Sequence, residues 1–300
     1  METAEKLRAF TQDLYLRLSF PAPAAALLQE ELEKLLTPAD FPAFYAILDQ
    51  YQDDGGKYPN MEMLLQMQAL CRKVDIPDFT GALLLLSCMC LRLKERYQRN
   101  GMPEQLFYHT MSDLRYKLTE CVEVYGLVGN FVPWWYYGFF DCSRVALGRL
   151  QFELRPLEVA CRYQGRSLTP ETVCINIHIP KTGTRLDHTE VLEAYRMARE
   201  YFRPQLGDGP VLFLCKSWLL DPWLLEVLPE GSNMRAFARD FHIVEVGEDK
   251  NYEDLWRVFN RPFTGDIDAL PADTALRRAF LGKLRRGEPA HWGRGIFQMD

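Results

Sequence analysis

The chain has 300 residues, 48% of them hydrophobic, and 35 basic against 41 acidic side chains leave a formal charge of −6. That length can bury a sizeable core in one large domain or two ordinary ones, and the acidic balance offers no general attraction for nucleic acid or anionic lipid. The eight cysteines lie scattered in apolar segments without a CxxC pair, which reads as buried thiols in a reducing compartment rather than as zinc or redox sites.

The first eighteen residues, METAEKLRAFTQDLYLRL, are charged throughout and lack the apolar centre of a signal peptide. The apolar run ALLLLSCMCL at 82–91 is far shorter than the roughly 20 residues that span a bilayer. The expectation is a soluble, cytoplasmic protein. Up to about residue 128 the apolar positions recur at helical spacing: Leu28, Leu32 and Leu35 share a face, and TPAD at 37–40 offers a threonine cap with a first-turn proline. DDGGKYPN at 53–60 reads as a loop, and helices are predicted at about 61–74, 79–98 and 103–125. This half is predicted to be a helical bundle. FVPWWYYGFF at 131–140 holds seven aromatic residues in ten positions, a composition suited to cementing two domains or to walling a substrate site. The boundary is placed at 130, giving domains 1–130 and 131–300.

Beyond about 145 the apolar period becomes two. In RLQFEL at 149–154, Leu150, Phe152 and Leu154 fall on one face and Arg149, Gln151 and Glu153 on the other. LEVACRY at 157–163 and TVCINIHI at 172–179 follow after short connections, which favours a three-strand antiparallel meander. A helix at about 188–203 carries the stripe Val191, Tyr195, Ala198 and Phe202, with Asp187 and Glu190 as its capping pair, and VLFLCKSW at 211–218 is apolar enough for a central strand. Helices opening at Asp221 and Ser232, a strand HIVEVG, a helix YEDLWRVF and a last helix near 273–286 complete an α/β half.

QFEL, INIHIP, CKSWLLDP, LPEGSN and VFNRP resemble the motif series of predicted bacterial acyltransferases, which pair a helical N-terminal domain with a C-terminal domain similar to the GNAT (N-acetyltransferase) fold. The resemblance runs over nearly the whole chain and is most specific from 149 to 262. It implies a helical bundle followed by a GNAT-like mixed sheet flanked by helices, and acyl transfer from acetyl-CoA or a longer acyl-CoA to a small-molecule acceptor. In that fold a helix N-terminus faces the cofactor pyrophosphate, as free backbone amides and the helix dipole favour. This chain departs from the usual Q/R-x-x-G-x-G/A loop: KTGTRLDH has one glycine. Lys181, Thr182, Gly183, Thr184 and Arg185 can supply amides and positive charge there, while Asp187 competes for the same amides. The alternative is an ordinary strand-to-helix loop.

Direct acyl transfer to an amine or hydroxyl needs a base but no enzyme nucleophile. On the strand at 173–179, Cys174, Asn176 and His178 share a face, and a histidine at the carboxyl end of a central strand suits proton transfer. His178 is the first candidate and Glu153 the second, with Gln151, Asn176 and Ser217 as substrate contacts. If Cys215 were a nucleophile activated by His178, a covalent acyl-enzyme would follow. Buried packing roles are the competing readings for these residues. A non-catalytic GNAT-like binding protein is the other alternative. No metal-ligand spacing is present in the sequence, and the cluster Arg277, Arg278, Lys283, Arg285 and Arg286 reads as a solvated helix face or a phosphate contact.

Overall fold

A computed structural model describes residues 3–52 and 55–300; Asp53 and Asp54, the head of the predicted 53–60 loop, and Met1 and Glu2 of the first segment lie outside the described residues. The chain divides into two units, Met1–Val145 and Ala146–Asp300. The first contains α1 (Ala4–Arg17), α2 (Ala22–Leu35), α3 (Phe41–Leu48), α4 (Met61–Lys73), α5 (Asp78–Arg99), α6 (Glu104–Met111), α7 (Asp113–Tyr125) and the short α8 (Tyr137–Phe140). The ALLLLSCMCL run belongs to α5, which packs against α1, α2, α3, α4, α6 and α7 and is buried on every side from Thr80 to Leu91, as an apolar helix must be. Among the described residues no helix is long and apolar enough to cross a membrane.

Three expectations for this unit are corrected. The predicted 103–125 helix breaks at Ser112, whose hydroxyl donates to the Tyr108 carbonyl (2.9 Å). Thr37–Asp40 form a turn, in which the Asp40 amide donates to the Thr37 hydroxyl, and α3 begins only at Phe41. The domain boundary moves from 130 to 145, because Tyr136, Phe139 and Phe140 of the aromatic run are fully buried in the core of the helical unit.

The second unit is built on a six-stranded sheet formed by β1 (Arg144–Leu147), β2 (Leu150–Pro156), β5 (Val173–His178), β6 (Val211–Ser217), β7 (His242–Asp249) and β8 (Ala290–Met299), in the order β1-β2-β5-β6-β8-β7. The predicted three-strand meander is not formed. Instead β3 (Cys161–Tyr163) and β4 (Arg166–Leu168) pair only with each other, across a turn in which Gln164 and Gly165 both take positive φ (48° and 77°), the geometry of a tight primed hairpin. With the hairpin out of the sheet, β2 pairs directly with β5.

β8 was not expected: its WGRG centre interrupts the alternation that marks a strand. A Cβ on Gly293 would meet the Leu220 carbonyl oxygen at 2.1 Å, and one on Gly295 would meet Phe241 at 2.6 Å, so the glycines of GRG admit close packing from both neighbours. Helix α9 (His188–Tyr201) lies on one face of the sheet, where Tyr195 contacts the rings of Phe213 and Phe297. The predicted stripe Val191, Tyr195, Ala198 and Phe202 is buried, and Ala194 is buried with it, each large side chain contributing about 1.5–3 kcal/mol. The short helices α10 (Arg203–Leu206), α11 (Leu224–Val227), α12 (Asn233–Arg239) and α13 (Leu255–Phe259) follow, and then α14 (Ala275–Arg285). Leu224, Leu228, Leu255, Val258, Phe259 and Phe280 form a separate core among them.

Candidate active site

Antiparallel pairing sets Gln151 opposite His178, Glu153 opposite Asn176 and Arg155 opposite Cys174. Residues paired across a ladder point the same way, so one face carries Gln151, Glu153 and Arg155 beside Cys174, Asn176 and His178. The apolar set Phe152, Ile175 and Ile177 faces α9. Glu153 and His178 are diagonal neighbours, and His178 Nε2 lies 2.8 Å from Glu153 Oε1, with the carboxylate side chain only 3% exposed and the imidazole 18%. The same Oε1 accepts from Arg155 Nε at 3.2 Å and lies 3.5 Å from Asn176 Nδ2. A carboxylate this buried is tolerable only with donors around it.

Asn176 Nδ2 also stands 3.0 Å from His178 Nε2. One nitrogen cannot both receive from the amide and donate to the carboxylate. An ionised carboxylate only accepts, so Nε2 carries the proton and the imidazole lone pair sits on Nδ1. The neutral imidazole is thus held in one tautomer against a buried carboxylate. Gln151, opposite His178, is 1% exposed.

The structure does not bring Cys215 to His178. β5 and β6 run parallel with Asn176 level with Leu214, so Leu214 shares the His178 face and Cys215 points to the α9 side. Burial pushes the Cys215 thiol up to about 12, which leaves it inert near neutrality. The covalent reading therefore loses its base and its thiolate together. Ser217 lies on the Cys215 side and caps the following turn, accepting from the Leu219 amide at 3.1 Å.

The β5–β6 ladder ends at Asn176–Leu214, so the carboxyl ends of these parallel strands are not paired to each other, while β6 continues its pairing with β8 to Ser217. The loop 179–187 leads from this opening to α9. Gly183 has φ +85°, the Thr182 and Thr184 hydroxyls are 2.9 Å apart, and Thr184 and Arg185 are exposed. Lys181 Nζ donates to Asn260 Oδ1 at 2.9 Å. As expected, Asp187 caps α9: its Oδ1 accepts from the amides of Thr189 (2.9 Å) and Glu190 (3.3 Å).

A cavity of about 460 Å³ opens at the carboxyl end of β6, lined by Lys216, Trp218, Asp249, His291 and Trp292 among others, and includes neither His178 nor Glu153. At its wall the Lys283 ammonium donates to Asp221 Oδ2 (3.3 Å) and to His291 Nδ1 (3.0 Å). Lys283 is 5% exposed, which corrects the reading of the basic run as a solvated face for that residue; Arg285 and Arg286 keep exposed acidic partners. Among the described residues no group of three or more His, Cys, Asp or Glu is placed to hold a metal ion.

Residues 9–142 match the model of an N-acyltransferase N-terminal domain, and residues 145–297 match that of a GNAT-like C-terminal domain. The chain belongs to the family of N-acyltransferases with a GNAT-like C-terminal domain. Its fold is similar to that of a crystal structure described as an acyltransferase in complex with decanoyl-CoA and teicoplanin, at 22% identity and TM-score 0.73, covering 100% of this chain and 90% of that one. A mutant acyltransferase in complex with octanoyl-CoA matches at 21% identity and TM-score 0.72, covering 97% and 88%. An acyltransferase in complex with CoA and 10C-teicoplanin gives 21% and 0.71 over the same shares. At these identities the likeness is one of fold. No curated protein matches the sequence significantly.

Sequence reasoning on this N-acyltransferase missed two features. Arg155, on the Glu153 carboxylate, lies one residue beyond the quoted QFEL motif and continues its alternation, so the period-two pattern could have found it. Asp221, Lys283 and His291 are joined only by tertiary packing, and no spacing signal marks them.

Proposed function

We propose that this N-acyltransferase moves the acyl group of an acyl-CoA onto an amine or hydroxyl of a small-molecule acceptor by direct attack, with His178 as general base and Glu153 as its orienting acid. The reading is carried by the 2.8 Å contact between a buried carboxylate and an imidazole at the carboxyl end of β5, beside the end of the β5–β6 ladder. Glu153 accepts a hydrogen bond from Nε2–H, and Nδ1 takes the proton of the attacking acceptor as its nitrogen or oxygen bonds to the thioester carbonyl carbon. The carbon–sulfur bond then breaks, and the imidazolium returns the proton to the leaving thiolate. Lys181, Thr182, Gly183, Thr184 and Arg185 are assigned to the phosphates of the acyl-CoA, with Gln151 and Asn176 beside the reacting groups.

A second reading, a GNAT-like binding protein without turnover, is favoured by one observation: Asp187 already occupies the α9 amides that would meet phosphate. The two readings separate in one experiment. Thermal unfolding with acetyl-CoA, octanoyl-CoA or decanoyl-CoA tests binding; thiol release with decanoyl-CoA and either teicoplanin or a panel of primary amines tests transfer. Stabilisation together with thiol release that His178→Ala removes supports catalysis, whereas stabilisation without release supports the binding protein. The absence of any shift at saturating acyl-CoA overturns both.

A further inference from the structure

The Glu153 carboxylate raises a difficulty for a catalytic histidine. A buried anion 2.8 Å from Nε2 favours the imidazolium, and a histidine locked in an ion pair is no base. Arg155 stands where it can prevent this. Its Nε donates to the same Oε1 at 3.2 Å, from two residues along the same face of β2, with a side chain 38% exposed. Two cations on one carboxylate oxygen repel each other, and the guanidinium, always charged, is the one that stays. We propose that Arg155 is a positioning residue that occupies the negative charge of Glu153, so that His178 is held by hydrogen bonding while remaining neutral and basic at working pH.

The inference rests on the assignment of His178 as base. Three cations on neighbouring segments of this unit act in the same direction, while Arg294, opposite Lys216, is paired with Glu158 and Glu245. Arg149, in the turn just before β2, donates to the Pro180 carbonyl (2.9 Å), just past the end of β5. Lys181 follows β5 and is bonded to Asn260. Lys216 on β6 shares the His178 face, two residues beyond Leu214, and stacks on Trp292 at 3.9 Å. All three are cations and disfavour a further positive charge. Arg155 differs in sharing an atom with the imidazole.

The test is the titration of His178 followed by NMR of its Cε1–H. The chain has five histidines, and His178→Asn identifies the signal. Arg155→Gln is expected to raise the midpoint by about half a unit to one unit, the sense expected when a nearby like charge is removed. Arg155→Lys, which keeps the charge, is expected to restore most of it. The acid limb of thiol release with decanoyl-CoA should move up with the same variants. An unmoved midpoint in folded Arg155→Gln overturns the proposal, as does a failure of Arg155→Lys to restore a raised one. Failure of the base assignment looks different: His178→Ala would keep its thiol release, whatever the titration shows. If Arg155→Gln does not fold, Arg155→Lys and Arg155→Met decide through the same signal.

Discussion

Replacing Glu153 by glutamine keeps the shape of the side chain and removes the charge that faces His178. With imidazolium and carboxylate centres about 4 Å apart and an effective dielectric near 20, the lost attraction is about 4 kcal/mol, or about three units of His178 midpoint. Arg155 draws on the same oxygen and the imidazole is 18% exposed, so a fall of about one to two units is expected. The sign follows from the chemistry: removing an anion weakens the protonated form, and the imidazole stays neutral to lower pH. NMR titration needs no acceptor and reads this directly. In thiol release with decanoyl-CoA the acid limb should move down, while the plateau falls by about 10²–10³-fold because the amide no longer fixes the tautomer. A midpoint that is unchanged or higher in folded Glu153→Gln would refute the ion-pair geometry on which the mechanism is built.

Three other outcomes are expected. Native Cys215, with its thiol pushed up to about 12, has a thiolate fraction of about 10⁻⁵ at pH 7, so iodoacetamide should leave it unmodified by mass spectrometry; stoichiometric labelling of the folded protein would revive the covalent reading. Asp187→Ala removes the α9 cap at a cost of about 1 kcal/mol but frees the Thr189 and Glu190 amides, so the melting temperature should fall while CoA binds more tightly by calorimetry; weaker binding would count against phosphate at that helix end. Gly293→Ala places a Cβ 2.1 Å from the Leu220 carbonyl oxygen, and a cost of about 2–3 kcal/mol should lower the melting temperature by roughly 5–10 °C; a loss within a degree would show that the β8 packing is looser than described.

Much of this architecture is written locally. The Asp187 cap and the Val191, Tyr195, Ala198 stripe identify α9 because both signals act within a turn or two of helix. VLFLCKSW declares β6 through continuous apolarity, as a strand covered on both faces must. What depends on partners is less visible. Gly293 and Gly295 break the pattern of β8, since their purpose is the approach of Leu220 and Phe241 from elsewhere in the chain. LEVACRY has strand composition, yet positive φ at Glu158 and the Gln164–Gly165 turn take it out of the main sheet. The polar faces holding Glu153 and His178 were legible as faces; that they meet follows from the β2–β5 register, which the meander reading would have interrupted with another strand.

The displaced hairpin has a consequence for how this sheet can change. Cys161, Tyr163 and Leu168 pack over Cys174, Leu214 and Ile296, and the Tyr163 hydroxyl accepts from the Gln298 amide at 3.3 Å. The amino-terminal end of β5 is thus roofed by an accessory piece, while Glu153 and His178 stand on the Glu153–Asn176 and Gln151–His178 rungs toward its other end. Roof and acid–histidine pair share a face but no residue, so the segment between Leu157 and Thr172 is open to remodelling over generations, or to lengthening by an engineer at Gln164–Gly165, without replacing either member of the pair.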